Sequence, residues 1–194
     1  MGSSWAADEA DRDAWIAFAR ALEGRRLATV RYLDIDYRRH DVAPDYDGLR
    51  EITDEGQWAA PTFEFPGGHT VDFGVELETD DGFVYSVTWT PPGDTEGLEV
   101  HHEALAGGAL SDRPSAAVWD VSTRTTWRAF LGHVVTRVDV HYEPWDDAGA
   151  WWCMRLEFHV DGAGTVELSL AQGNPDGTVE PSSDNVVVRL SEHA

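Results

Sequence analysis

Apolar residues return at helical spacing in residues 5–22, where Trp15, Phe18, Ala19 and Leu22 fall at i, i+3, i+4 and i+7. Gly24 follows as a terminator. From residue 26 to 37 the period changes to two, with Val30 and Tyr32 on one side and Leu33, Ile35 and Tyr37 on the other, which predicts a strand covered on both faces. Residues 71–79 and 83–90 alternate around Asp80-Asp81-Gly82 and predict a hairpin, and Leu98 to His102 predicts a short strand. Residues 106–114 read as a linker. Beyond it, Ser122 is a suitable cap for a helix over 123–131, and strands are predicted at 134–143, 151–160, 165–171 and 185–190. These elements predict an α+β class, mainly antiparallel β.

The second half of this pattern resembles the first. A helical stretch ending at Leu22-Glu23-Gly24 runs into Leu27 to Tyr32, and a second ending at Phe130-Leu131-Gly132 runs into Val135 to Val140. Each is followed by a hairpin, turning at Asp81-Gly82 or at Asp161-Gly162. The expected organisation is two related β-rich copies, each preceded by one helix, residues 1–110 and residues 111–194, with room for both to pack as one unit. Residues 38–69 have no counterpart in the second copy. They are acidic and turn-rich, the character of a functional loop or of a disordered one, and their aromatic residues argue for at least partial order.

Charge adds a constraint. The net charge is -22, and all 14 basic residues are arginine, a usage that fits a GC-rich bacterial genome. Residues 1–110 hold 23 acids against eight arginines, and residues 111–194 hold 13 against six, so the acidity concentrates in the first copy. Direct nucleic-acid binding conflicts with this balance, because phosphate contacts need clustered cations. A solubility role and a surface built for a basic partner both remain open. The start of the chain has no basic, apolar signal pattern, and nothing approaches a transmembrane run, so a cytoplasmic protein without membrane contact is expected. Cys153 is the one cysteine and sits in a strand pattern as a buried, inert thiol.

Chemistry-bearing motifs are sparse. There is no G-x-S-x-G, no phosphate-binding glycine loop and no H-E-x-x-H. His101, His102 and Glu103 are adjacent, but strand neighbours point to opposite faces, and His133, His141 and His159 lack the close spacing of a zinc site. A calcium loop framed on Gly48 would start at Ala43 and end at Asp54, lacking its first ligand and its glutamate. No metal, cofactor or catalytic residue is therefore assigned.

Tyr85-Ser86-Val87-Thr88-Trp89, Gly97-Leu98, Trp119-Asp120-Val121-Ser122, Trp127, Leu131-Gly132 and Asn185 to Val188 together cover residues 71–190. In style this pattern resembles the small acidic immunity proteins of bacterial polymorphic toxin systems. The resemblance implies a binding protein that neutralises a basic toxin or effector by occluding its site. The contact residues expected for that role are Asp41, Asp45, Tyr46, Asp47, Asp54, Glu55 and Trp58. The alternative is a small-molecule binder or hydrolase with a pocket between the copies, lined by His101, His141 and Tyr142.

Overall fold

Asp8 starts the first helix. Its carboxylate accepts the Asp11 N–H at 2.9 Å, a side-chain cap that fixes the start of Glu9–Ala19 (α1). A 3-10 turn, Arg20–Leu22, follows. The computed structural model describes residues 4–35, 48–59, 61, 63–90, 97–105, 115–145 and 149–192. Among them the fold is α+β and mainly antiparallel β, as the alternation predicts.

The strands, in chain order, are Trp5–Ala6 (β1), Leu27–Ile35 (β2), Gly48–Glu51 (β3), Glu64–Phe65 (β4), Gly68–Val71 (β5), Gly74–Thr79 (β6), Val84–Trp89 (β7), Leu98–His101 (β8), Ser115–Asp120 (β9), Val135–Pro144 (β10), Trp151–Val160 (β11), Gly164–Gly173 (β12) and Val179–Glu192 (β13). Two further helices are short, Glu55–Ala59 (α2) and Thr125–Arg128 (α3). Sheet I has the order β3-β9-β2-β6-β7-β8; sheet II runs β1-β11-β12-β13-β5-β4, with β10 on β11's other side. Each sheet contains a four-strand antiparallel meander, β2-β6-β7-β8 in one and β10-β11-β12-β13 in the other.

The two meanders meet at an approximate two-fold axis beside the Arg26–Val134 bridge. Gly24 N–H donates to Val135 O, and Gly132 N–H donates to Leu27 O. Leu27 N–H donates to His133 O, and Val135 N–H donates to Arg25 O. Each bond has its mirror with the partners' roles exchanged. Both turns need a left-handed residue, and Gly24 (φ +82) and Gly132 (φ +81) supply it. The chain halves nevertheless share both sheets. β9 lies beyond residue 111 but pairs with β2 and β3, whereas β5 pairs with β13 and β1 with β11.

The core lies between the sheets. Val75, Leu77, Tyr85 and Val87 of sheet I and Leu156, Phe158, Val166, Leu168 and Val188 of sheet II are fully buried. Tyr85 and Phe158 meet edge to face at 5.7 Å. Tyr85 also donates its hydroxyl to Ala19 O at 2.9 Å, tying the end of α1 to sheet I. Tyr85→Phe removes one buried bond without emptying the site, so urea unfolding is expected to show a loss of about 1 kcal/mol. No helix of the described residues is long and apolar enough to cross a membrane.

Three local expectations change. Trp5–Ala6 is a strand paired to β11, so the first helix starts at Glu9 rather than at residue 5. The helix expected over 123–131 is shorter, Thr125–Arg128 (α3), and Ser122 is not its cap; Ser122 Oγ instead accepts the Val30 N–H at 2.9 Å. The strand expected over 185–190 is longer, Val179–Glu192 (β13), because its first residues pair with Ala171, Gln172 and Gly173 of β12.

Candidate functional site on the outer face of sheet II

The sequence Arg137-Val138-Asp139-Val140-His141 lies on β10, and Arg155-Leu156-Glu157-Phe158-His159 lies on β11. Both read Arg-x-acid-x-His. Strand alternation turns Val138, Val140, Leu156 and Phe158 into the core and leaves the polar residues of both motifs on the opposite face. The antiparallel register then sets the motifs head to tail: Arg137 lies opposite His159, Asp139 opposite Glu157, and His141 opposite Arg155. Two carboxylates thus stand at the centre, with one imidazole and one guanidinium on each side.

The distances are those of a connected network. His159 Nε2 is 2.8 Å from Asp139 Oδ2 and 3.9 Å from Glu157 Oε2. Arg137 Nη2 is 2.9 Å from the same Asp139 oxygen and 2.9 Å from His159 Nε2. His141 Nε2 lies 3.3 Å from Glu157 Oε1 without a hydrogen bond, although the atom is buried. Arg155 bridges Glu157 at 3.4 Å and Glu167 of β12 at 3.5 Å, offsetting two like charges directly opposite each other. Behind His159, Thr165 Oγ1 is 3.5 Å from Nδ1. The ligand atoms of Asp139, Glu157 and His159 all lie within 4.8 Å of one another. Partial burial opposes ionisation of Asp139, but the His159 hydrogen bond and the Arg137 charge hold its carboxyl below the usual carboxylate range.

The first meander lacks this arrangement. At the matching place on β2, Arg31 simply pairs with Glu76 at 2.7 Å and Glu78 at 3.1 Å on β6. The two meanders diverge here in chemistry while keeping the same strand order.

A second polar group is sealed inside. Trp127 Nε1–H donates to Tyr32 Oη at 2.6 Å, which leaves the Tyr32 hydroxyl to donate to His69 Nδ1 at 2.7 Å. Burial pushes the Tyr32 hydroxyl up and lowers the His69 imidazole to about 4. Nearby, Asp34 accepts from Trp119 Nε1 at 3.0 Å and from Asp72 N–H at 3.0 Å. Burial outweighs these two donors and, with the Asp72 charge adding to it, raises Asp34 to about 7. Tyr32, His69 and Asp34 are buried and hydrogen-bonded, an arrangement that specifies the core.

Of the contact residues expected from sequence, Asp41, Asp45, Tyr46 and Asp47 lie outside the described residues. Asp54 caps α2, accepting from Gly56 N–H at 2.7 Å and Gln57 N–H at 3.2 Å. Glu55 is exposed in the first turn of that helix. Trp58 is half-buried, edge-on to Trp119 at 5.9 Å and under the Arg124 guanidinium at 5.6 Å. The proposed pocket residues do not converge. His101 lies in β8 beside Glu99, with its ring buried; His141 is on the outer face of sheet II; Tyr142 lines a void of about 10 Å³ between the sheets, room for about one water.

The Arg-x-acid-x-His pair escapes a search for close ligand spacing because register, not sequence proximity, brings its members together. The repeated motif itself was the available signal. No protein-family model, curated protein or solved structure matches this chain.

Proposed function

We propose that this protein is a cytoplasmic, acidic binding module that neutralises a basic protein partner of toxin or effector type by occluding the partner's site. The observation that supports the reading is how its arginines are used. Arg12, Arg20, Arg25, Arg26, Arg31, Arg124, Arg137 and Arg155 each face a carboxylate within the protein. With these eight of its 14 arginines engaged by the protein's own carboxylates, the chain's net charge of -22 is left for a basic partner. Exposed acids such as Glu9, Asp13, Glu55, Asp120 and Glu180 carry part of it. A field of this sign accelerates encounter with a cationic surface and rejects nucleic acid. Asp41, Asp45, Asp47 and Glu55 of the 38–69 segment are the proposed first contacts, with Tyr46 as the anchor.

The test starts with capture from the native host at low salt, elution by a salt step, and purification of the eluted partner. Its affinity is expected to fall about tenfold or more on going to ~0.5 M salt. Neutralising Asp41, Asp45, Asp47 and Glu55 to Asn and Gln is expected to slow association by about tenfold. Salt-independent affinity, or an association rate untouched by the neutralised variant, rules out this mode of binding.

A further inference from the structure

We infer that the paired Arg-x-acid-x-His motifs form a binding site for a divalent transition-metal ion, with Zn2+ as the best-matched species. Asp139, Glu157 and His159 would supply the ligand atoms. The donor set of one imidazole and two carboxylates suits zinc, which accepts nitrogen and oxygen ligands and takes three protein groups with an open position.

Three features separate this cluster from an ordinary surface ion-pair ladder. The first is a conflict at His159 Nε2, which lies 2.8 Å from a carboxylate oxygen and 2.9 Å from a guanidinium nitrogen. Protonated, that nitrogen donates to Asp139 but opposes the N–H of Arg137. Deprotonated, it accepts from Arg137 but turns its lone pair towards the carboxylate. A metal ion among the three ligand atoms, which lie within 4.8 Å of one another, takes a lone pair from each, displaces the Arg137 guanidinium and removes the conflict. The second feature lies behind the ring. Thr165 Oγ1, 3.5 Å from Nδ1, is placed to receive the Nδ1–H of the tautomer that frees Nε2 for a metal. The third is the second imidazole, since His141 Nε2 is buried, makes no hydrogen bond and stands 3.3 Å from Glu157 Oε1. Arg155 Nη2 lies 3.3 Å from His141 Nδ1 and can only donate to it, which leaves the proton on Nε2, aimed at Glu157 Oε1 as an orienting group.

Arg137 is the competitor. Its side chain is 59% exposed, so it can swing into solvent when an ion enters. In the ion-free protein it serves as the cation between Asp139 and His159. Removing its charge should therefore strengthen metal binding, whereas in a simple ion-pair ladder its loss would create no site.

The experiment is calorimetric titration of the chelator-treated full chain with Zn2+, paired with Co2+ absorption as a ligand-field probe. One Zn2+ per chain is expected, with a visible Co2+ band. His159→Gln and Asp139→Asn should each weaken binding about tenfold or more, Arg137→Gln should tighten it several-fold, and Glu9→Gln, an exposed acid on α1, should leave it unchanged. Far-UV circular dichroism of each variant monitors the fold, and Arg137→Gln, altering an exposed side chain, keeps the test available if a ligand variant unfolds. The inference is overturned by the absence of saturable Zn2+ binding, by binding that survives both ligand substitutions, or by weaker binding in Arg137→Gln.

Discussion

Trp127→Ala is expected to cost about 4 kcal/mol, the range for emptying a large buried aromatic, and to lower Tm by about 10–15 °C in a chain of this size. Trp127 is fully buried and packs edge to face with Tyr32 at 6.3 Å and Phe130 at 6.2 Å. It stands between the end of sheet I's central strand and the turn that leads into β10. The cost arises mainly from the cavity. Tyr32 Oη loses a donor but keeps its own bond to His69, so no buried hydroxyl is orphaned. Trp127→Phe preserves much of the volume and loses the indole N–H, and about 1–2 kcal/mol is expected. Chemical denaturation of the three proteins makes the comparison. An alanine variant within about 1 kcal/mol of the parent would mean that the sheets do not depend on this contact.

The second large effect is a pair of opposing pH dependences. Asp34 is raised to about 7 in the folded protein, against an ordinary carboxyl near ~4. The folded state then holds a proton that the unfolded chain releases. Stability from this group is complete below about pH 4 and is lost as pH rises to about 7, at most about 1.4 kcal/mol per pH unit. His69 is lowered to about 4, against an ordinary imidazole near ~6.5. Here the unfolded chain binds the proton first, so stability is complete above about pH 6.5 and is lost as pH falls to about 4. Between about pH 4 and 6.5 the two slopes cancel. Asp34→Asn should expose the histidine slope, with stability falling by up to about 3 kcal/mol towards acid. His69→Gln should expose the carboxyl slope, with stability falling by up to about 4 kcal/mol towards neutral pH. Unfolding free energies of the parent and both variants across this range provide the measurement. Slopes of the same sign in the two variants would contradict the assignment.

Much of the fold was readable from periodicity. Alternation in 71–90 and 134–171 yields β6, β7, β10, β11 and β12 close to their observed limits, because apolar residues alternate with polar ones along each, although β6 and β7 are buried on both faces. β9 was not readable as a strand of sheet I. Its Ala116 and Ala117 carry little strand propensity, and its place depends on pairing with β2 and β3, from distant parts of the chain. Ser122 was misread because its hydroxyl can serve a helix cap or a strand edge equally well, and tertiary structure decides for Val30 N–H. The likeness of the two halves was visible in sequence, and the reciprocal bonds at Gly24 and Gly132 are its geometric counterpart. The site was the least legible part. Asp139 and Glu157 face each other only because the connection between β10 and β11 and the irregularity at His141/Tyr142 set that register.

Neutralisation of a basic partner requires that the partner lose its function, so the decisive measurement is the activity of the captured basic partner titrated with this protein at physiological salt. The account predicts that activity falls linearly to its baseline at one molar equivalent and returns when salt dissociates the complex. Full partner activity at saturating complex formation would contradict it.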